Sequence, residues 1–368
     1  MPAEGSVNRM SGHAAAAILT ALIATTSLSA FAADAGAAPS AADVMDAISV
    51  ANIEETIAYL QALGTREFHT SGAQQAAEYI YGQFEAIGLD VSYQSFELDA
   101  VTVRNVVATI QGTVPDEGIV LVGAHYDSEN QAVDTYDEAI TIMAPGADDD
   151  ASGVAAVLEV ARAISSSGTA LTHTVKFVAF GAEEMGYNNM GGLAGSRYFV
   201  QQEASADVDY AGTAILDMIG YRDGAENVVS LIKDRDNDDL ARAMVDAADE
   251  HGLDLRIDQY TAPEAKYADH ASFWDAGYPS FLAIEEMEPI ELMPLNPYYH
   301  TAGDTLSTLS LHQVEVVTQA VAGGVLGLAS EDTGSGGVPI EVTVAAAAAG
   351  AGAIAVAAYY FGHRRTGR

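Results

Sequence analysis

The sequence predicts an α/β fold: a three-layer sandwich with a central mixed, largely parallel sheet flanked by helices. Three observations carry that expectation. The continuous apolar run at 119–124 has the composition of a strand buried on both faces, and 174–180 reads as another buried strand. Segments with apolar residues at helical spacing alternate with such runs. His125, Glu183, Glu184 and Asp217 each stand just past an apolar run, at the carboxyl edge where open α/β sheets gather polar groups from separate strands.

In chain order, a helix is expected over 53–63, where Ile53, Ile57, Leu60 and Leu63 share a face. A second is expected over 73–87, with Ala76, Ala77, Ile80, Phe84 and Ile87 on one side and Gly88 as its stop. Strands follow at 91–96 and 105–111, then the buried strand 119–124. A helix at 153–164 leads to the strand 174–180, and a further strand begins at 214 and ends at Asp217. An amphipathic helix at 237–251, a strand at 280–284 and a helix at 311–328 complete the pattern, with no internal repeat.

At 368 residues the chain is long enough for one large domain or two modest ones. Its ends differ from its middle. Arg9 and His13 precede an apolar run at 14–28 and the sequence Ala30-Phe31-Ala32, the order of a secretory signal, so 1–32 is expected to be a signal peptide. Residues 331–339 read as a flexible linker. Residues 340–362 are long and apolar enough for a transmembrane helix, and the basic tail 363–368 would stay cytoplasmic. That leaves 33–330 as a single folded domain, exported and held at the cell surface. The net charge of −37, with only three lysines, argues against nucleic acid as a partner, because a phosphate backbone would be repelled. An acidic surface of this kind suits solubility in saline surroundings. The absence of cysteine excludes thiolate zinc sites and a cysteine nucleophile.

The most informative stretch is 144–153, Ala-Pro-Gly-Ala-Asp-Asp-Asp-Ala-Ser-Gly. Three adjacent carboxylates repel one another, so something strongly positive must face them. Together with Gly-Ala-His-Tyr-Asp-Ser at 123–128 and the Glu183-Glu184 pair, they indicate a metal site. A cysteine-free site needs His, Asp and Glu as ligands. His125 and Asp127 would point the same way along an extended chain, and Asp127 would accept a hydrogen bond from the second ring nitrogen of His125. The chain contains neither G-x-S-x-G nor H-E-x-x-H, which speaks against a serine hydrolase of that type and a mononuclear zinc protease.

Five blocks in order, GAHYDS, APGADDDASG, FGAEEMG, ILDMIGY and YYHTAGDT, resemble the co-catalytic zinc exopeptidases that include the leucyl-type aminopeptidases; YADHASFWDAGYP at 267–279 supports them. Glutamate carboxypeptidase, glutaminyl cyclase and the transferrin-receptor ectodomain are relatives in that family. The resemblance spans roughly 53–328. It implies two Zn2+ ions, with Asp148 bridging both, His125 and Asp217 completing one, and Glu184 and His300 the other. It further implies Glu183 as the general base, a cis peptide between Asp148 and Asp149, and a peptide substrate with a free N-terminus. Asp149 and Asp150 are expected to support the ligands from behind or to cap the following helix, and Asp269 and His270 to serve the start of theirs. His69, His173, His251 and His312 lack motif context and are expected to be structural. Glu285 or Glu286, just past a strand, would suit a substrate ammonium. Carboxypeptidase or glutaminyl cyclase chemistry, or a non-catalytic receptor-like ectodomain, are the alternatives. The short span between Ile87 and His125 leaves no room for the protease-associated domain of many relatives. The preferred N-terminal residue and the oligomeric state are not encoded in any motif.

Overall fold

The computed structural model describes residues 39–114, 117–132, 135–184, 192–288 and 292–330. The expected signal peptide, linker, membrane helix and basic tail lie outside the described residues. No helix among the described residues is long and apolar enough to cross a membrane.

The chain opens with three helices, α1 (Ala41–Asp46), α2 (Val50–Ala62) and α3 (Ser71–Ile87), followed by the hairpin β1 (Asp90–Leu98) and β2 (Val101–Ile110). Next come β3 (Ile119–His125), the short α4 (Tyr136–Ala139), α5 (Ala151–Ser167), β4 (Thr174–Phe180), α6 (Ala194–Ser205) and β5 (Tyr210–Leu216). The remainder is β6 (Val228–Lys233), α7 (Asp239–His251), β7 (Arg256–Thr261), α8 (His270–Ala276), β8 (Phe281–Ile284) and α9 (Leu311–Ser330). The eight strands form one sheet in the order β1-β2-β4-β3-β5-β8-β6-β7. Its centre, β4-β3-β5-β8, is parallel, while β1-β2, β2-β4 and β6-β8 pair antiparallel. This is the mixed α/β sandwich that the sequence predicts.

Alternation along the central strands divides the core. Val120, Val122 and Ala124 of β3 face the cluster that includes α2, α3, α5, α7 and α9. Leu121 faces the opposite cluster, with Phe199 of α6 and Phe273 and Trp274 of α8. Gly123 is required by a close approach, since a Cβ there would sit 2.6 Å from the Phe180 ring. Helix ends follow local chemistry. Thr70 caps α3 at Ala73 N, Gly88 closes it with φ of 91°, and Asp150 caps α5 at Gly153 N. No element is expected from sequence over 194–205, 228–233 or 256–261, where the structure forms α6, β6 and β7.

Candidate metal centre

Three adjacent parallel strands deliver the site. β3 ends at His125, and its pairing continues one step as Tyr126 N–H donates to Phe180 O (2.9 Å). β4 ends at Phe180 and turns through Gly181 and Ala182 into Glu183 and Glu184; β5 ends at Leu216, one residue before Asp217. The Asp triplet is the turn that enters α5, and His300 comes from the loop before α9. Strand ends far apart in sequence therefore meet at one edge.

The group at the centre is Asp149. Its Oδ1 lies 3.1 Å from His125 Nε2 and its Oδ2 lies 3.0 Å from His300 Nε2. Each imidazole has one further carboxylate on the same nitrogen: Asp217 Oδ1 at 3.6 Å from His125 and Glu184 Oε2 at 3.1 Å from His300. Ligands on one tetrahedral zinc, with bonds of about 2.0–2.2 Å, stand roughly 3.3 Å apart. The donor atoms are thus spaced as metal ligation requires, and the nitrogen and oxygen donors fit zinc. Asp150 also groups with His125 and Asp217, and Glu129 with Glu184 and His300, within 4.8 Å.

Asp148 does not hold the bridging position expected from sequence. Its Oδ1 accepts from Gly220 N (2.8 Å) and its Oδ2 from Tyr221 N (3.2 Å) and Asn296 Nδ2 (2.8 Å), while its carboxyl shares a hydrogen bond with Glu285. Successive side chains of a turn diverge, and the backbone donors of 220–221 draw Asp148 to the back of the site. The cis peptide correspondingly joins Asp149 to Asp150 rather than Asp148 to Asp149. Asp127 also differs from expectation. It lies 3.6 Å from His125 Nδ1, beyond hydrogen-bond range, and its two oxygens instead accept from Glu183 N and Glu184 N, each at 3.0 Å. Asp127 therefore positions the glutamate pair.

Three partners escape the sequence reading. Asp304 accepts from Asp148 N (2.9 Å) and Asp149 N (3.1 Å), one through each oxygen. Glu129 Oε1 and Gln131 Nε2 both lie 3.3 Å from His300 Nδ1. The spacing Gly-Asp-Thr at 303–305 was the available signal for Asp304; nothing in the sequence marks Glu129. Glu285 is buried behind Asp148 and accepts from Tyr221 N, and Glu286 pairs with Arg256 at 2.6 Å, so neither faces a substrate ammonium. Asp269 occupies the cap position of α8 but makes no side-chain cap bond. His270 is buried and donates through Nε2 to Ala265 O (2.7 Å). His69, His173, His251 and His312 bond to groups outside the cluster.

The site concentrates negative charge out of water. Asp149, Asp150, Glu183, Glu184 and Asp217 are all buried. Burial, reinforced by neighbouring carboxylates, pushes Glu183 and Asp150 well above the usual carboxyl range and Glu184 up to about 8. Burial opposes charge on Asp149 too, but the two imidazoles overcome it and lower its pKa. Burial likewise disfavours charged His125 and His300, yet the surrounding acids raise both well above free imidazole. Ionising these acids together beside two imidazoles requires further positive charge, which divalent cations supply.

Residues 105–325 match the family described as Peptidase family M28. Leucine aminopeptidase 1 of Trichophyton equinum is 28% identical over 297 residues, covering 77% of this chain and 74% of that protein. Among solved structures, the LapA aminopeptidase of Legionella pneumophila is similar with a TM-score of 0.65 and 24% identity, over 79% of this chain and 75% of that one. BSAP, a zinc aminopeptidase from Bacillus subtilis, is similar with a TM-score of 0.64 and 17% identity, over 78% of this chain and 97% of that one.

Proposed function

Because the chain belongs to peptidase family M28, we propose that it is a two-zinc aminopeptidase that releases N-terminal residues from peptides outside the cell. The observation that carries the reading is Asp149 seated between His125 and His300, with Asp217 and Glu184 completing two ligand groups. His125, Asp149 and Asp217 would hold one ion, and Asp149, Glu184 and His300 the other. Bound zinc polarises a carbonyl and makes water a nucleophile near neutral pH.

The chain's own residues supply the rest. Glu183 stands next to a ligand and is fixed through its backbone by Asp127; burial raises its carboxyl well above the usual range, which favours its holding a proton. Glu183 accepts the proton of the attacking water and delivers it to the leaving amine. The buried acids favour a substrate with a free ammonium over one with a terminal carboxylate. Of the cations, Arg66 is committed to backbone carbonyls and Arg222 to Ala225 O and Asn227. Export and surface anchoring rest on the composition of 1–32 and 340–362.

The test is hydrolysis of leucine-p-nitroanilide by the full chain in salt, beside its N-acetylated analogue and with a zinc chelator. Cleavage of the free amine alone, lost with the chelator, is the expected result. Two bound zincs without cleavage of any free-amine substrate would transfer the reading to cyclase or carboxypeptidase chemistry.

A further inference from the structure

We propose that Arg66 and Asp304 form a two-sided bracket that fixes Asp149 and thereby sets the affinity of the centre for its cations; this rests on the two-metal reading above. The segment 144–149 belongs to no helix or strand, so its placement depends on side chains from elsewhere. Its carbonyls are held from one side. Ser128 Oγ donates to Ala144 O (2.7 Å), Arg66 Nη1 to Pro145 O (2.5 Å) and Arg66 Nη2 to Gly146 O (2.9 Å). Its N–H groups are held from the other. Ala147 N donates to Asp304 O (3.4 Å), Asp148 N to Asp304 Oδ1 (2.9 Å) and Asp149 N to Asp304 Oδ2 (3.1 Å). Three consecutive carbonyls and then three consecutive amides are thus satisfied by buried side chains and the backbone of Asp304.

The bracket also joins the segment to both histidine loops. Arg66 Nε donates to Tyr126 O (2.7 Å), directly after His125, and its backbone N–H donates to Ser128 Oγ (3.1 Å). Asp304 lies four residues after His300 in the chain. Arg66 is fully buried and spends its donors on carbonyls, where its planar fork can serve several at once. Among the acids that offset its buried charge, Asp304 contributes most. Gly146 has φ of 52°, and a Cβ there would meet Arg66 Nη2 at 2.7 Å, so the glycine permits the guanidinium to reach the turn. A carboxylate shared by two ions must be placed within a fraction of an ångström, which makes its support part of the affinity.

Asp304 and Arg66 are positioning residues, and zinc affinity separates that role from general stability. The experiment uses the full chain, zinc titrated against a competing chelator, thermal unfolding with excess chelator, and kcat and KM with leucine-p-nitroanilide. Asp304→Asn keeps the side-chain shape but sets an N–H donor against a backbone N–H. Zinc affinity should fall about 10–100-fold, with lower kcat and little change in KM, while metal-free unfolding stays near wild type. Glu159→Gln is the control: this buried acid serves Ser49 N and Asn52, away from the site, and should leave zinc affinity unchanged. Arg66→Lys should also weaken zinc binding, and if it fails to fold, Asp304→Asn still decides. Wild-type zinc affinity and kcat in folded Asp304→Asn would overturn the bracket, as would an affinity loss no larger than that of Glu159→Gln. A wild-type chain that binds no zinc would overturn the two-metal reading and the bracket with it.

Discussion

Asp127, Asp149 and Asp304 show two uses for one side chain. Asp149 offers each oxygen to a different imidazole, whereas Asp127 and Asp304 each use both oxygens to hold consecutive backbone N–H groups. Glu183 is held at its amide by Asp127, which fixes where its carboxyl stands. Glu183→Gln should therefore lower kcat about 10²–10⁴-fold while two zincs remain bound. Steady-state kinetics with metal analysis on the same sample checks this, and loss of zinc would instead mark Glu183 as a ligand. The motifs exposed most of this site, because His125, Asp217 and His300 each stand alone of their type in their blocks and Glu184 is one of only two adjacent glutamates. The triplet did not, because three identical neighbours differ only in backbone direction. Asp148 is set by the amides of Gly220 and Tyr221, which no local pattern announces.

At the scale of elements, legibility followed burial. β3 and β4 are mostly apolar and buried and were readable as central strands, whereas β7 alternates partly exposed polar residues at the sheet edge. The helix α6 lacks a side-chain cap and a clear apolar stripe, so only its tertiary packing against α8 marks it. The helix α8 carries a pH dependence of its own. Burial holds His270 down to about 4, below the ordinary histidine value of 6.5. Below pH 6.5 the unfolded chain takes up a proton that folded His270 refuses, so stability is lost as pH falls from 6.5 toward 4. The loss reaches roughly 3 kcal/mol at most, at about 1.4 kcal/mol per unit. His270→Gln should flatten this limb in denaturant unfolding with chelator present. An unchanged pH slope would mean that His270 is protonated in the fold.

For the whole molecule, the formal charge of −37 sets the response to salt. Repulsion among surface carboxylates acts against the compact state, and screening shortens from about 10 Å at 0.1 M salt to about 3 Å at 1 M. The melting temperature should rise over that interval in potassium chloride, and a flat profile would show that the surface charges are already offset. Charge and composition were legible in the sequence, as was the sandwich, since both are sums over many residues. The bracket around 144–149 was not, because Arg66 and Asp304 are 238 positions apart and meet only in the fold. The central claim is that Asp149, not Asp148, unites two zinc ions. Zinc bound per chain in wild type, Asp148→Asn and Asp149→Asn tests it most directly. The account predicts two ions in wild type and Asp148→Asn and fewer in Asp149→Asn; retention by Asp149→Asn with loss in Asp148→Asn would contradict it.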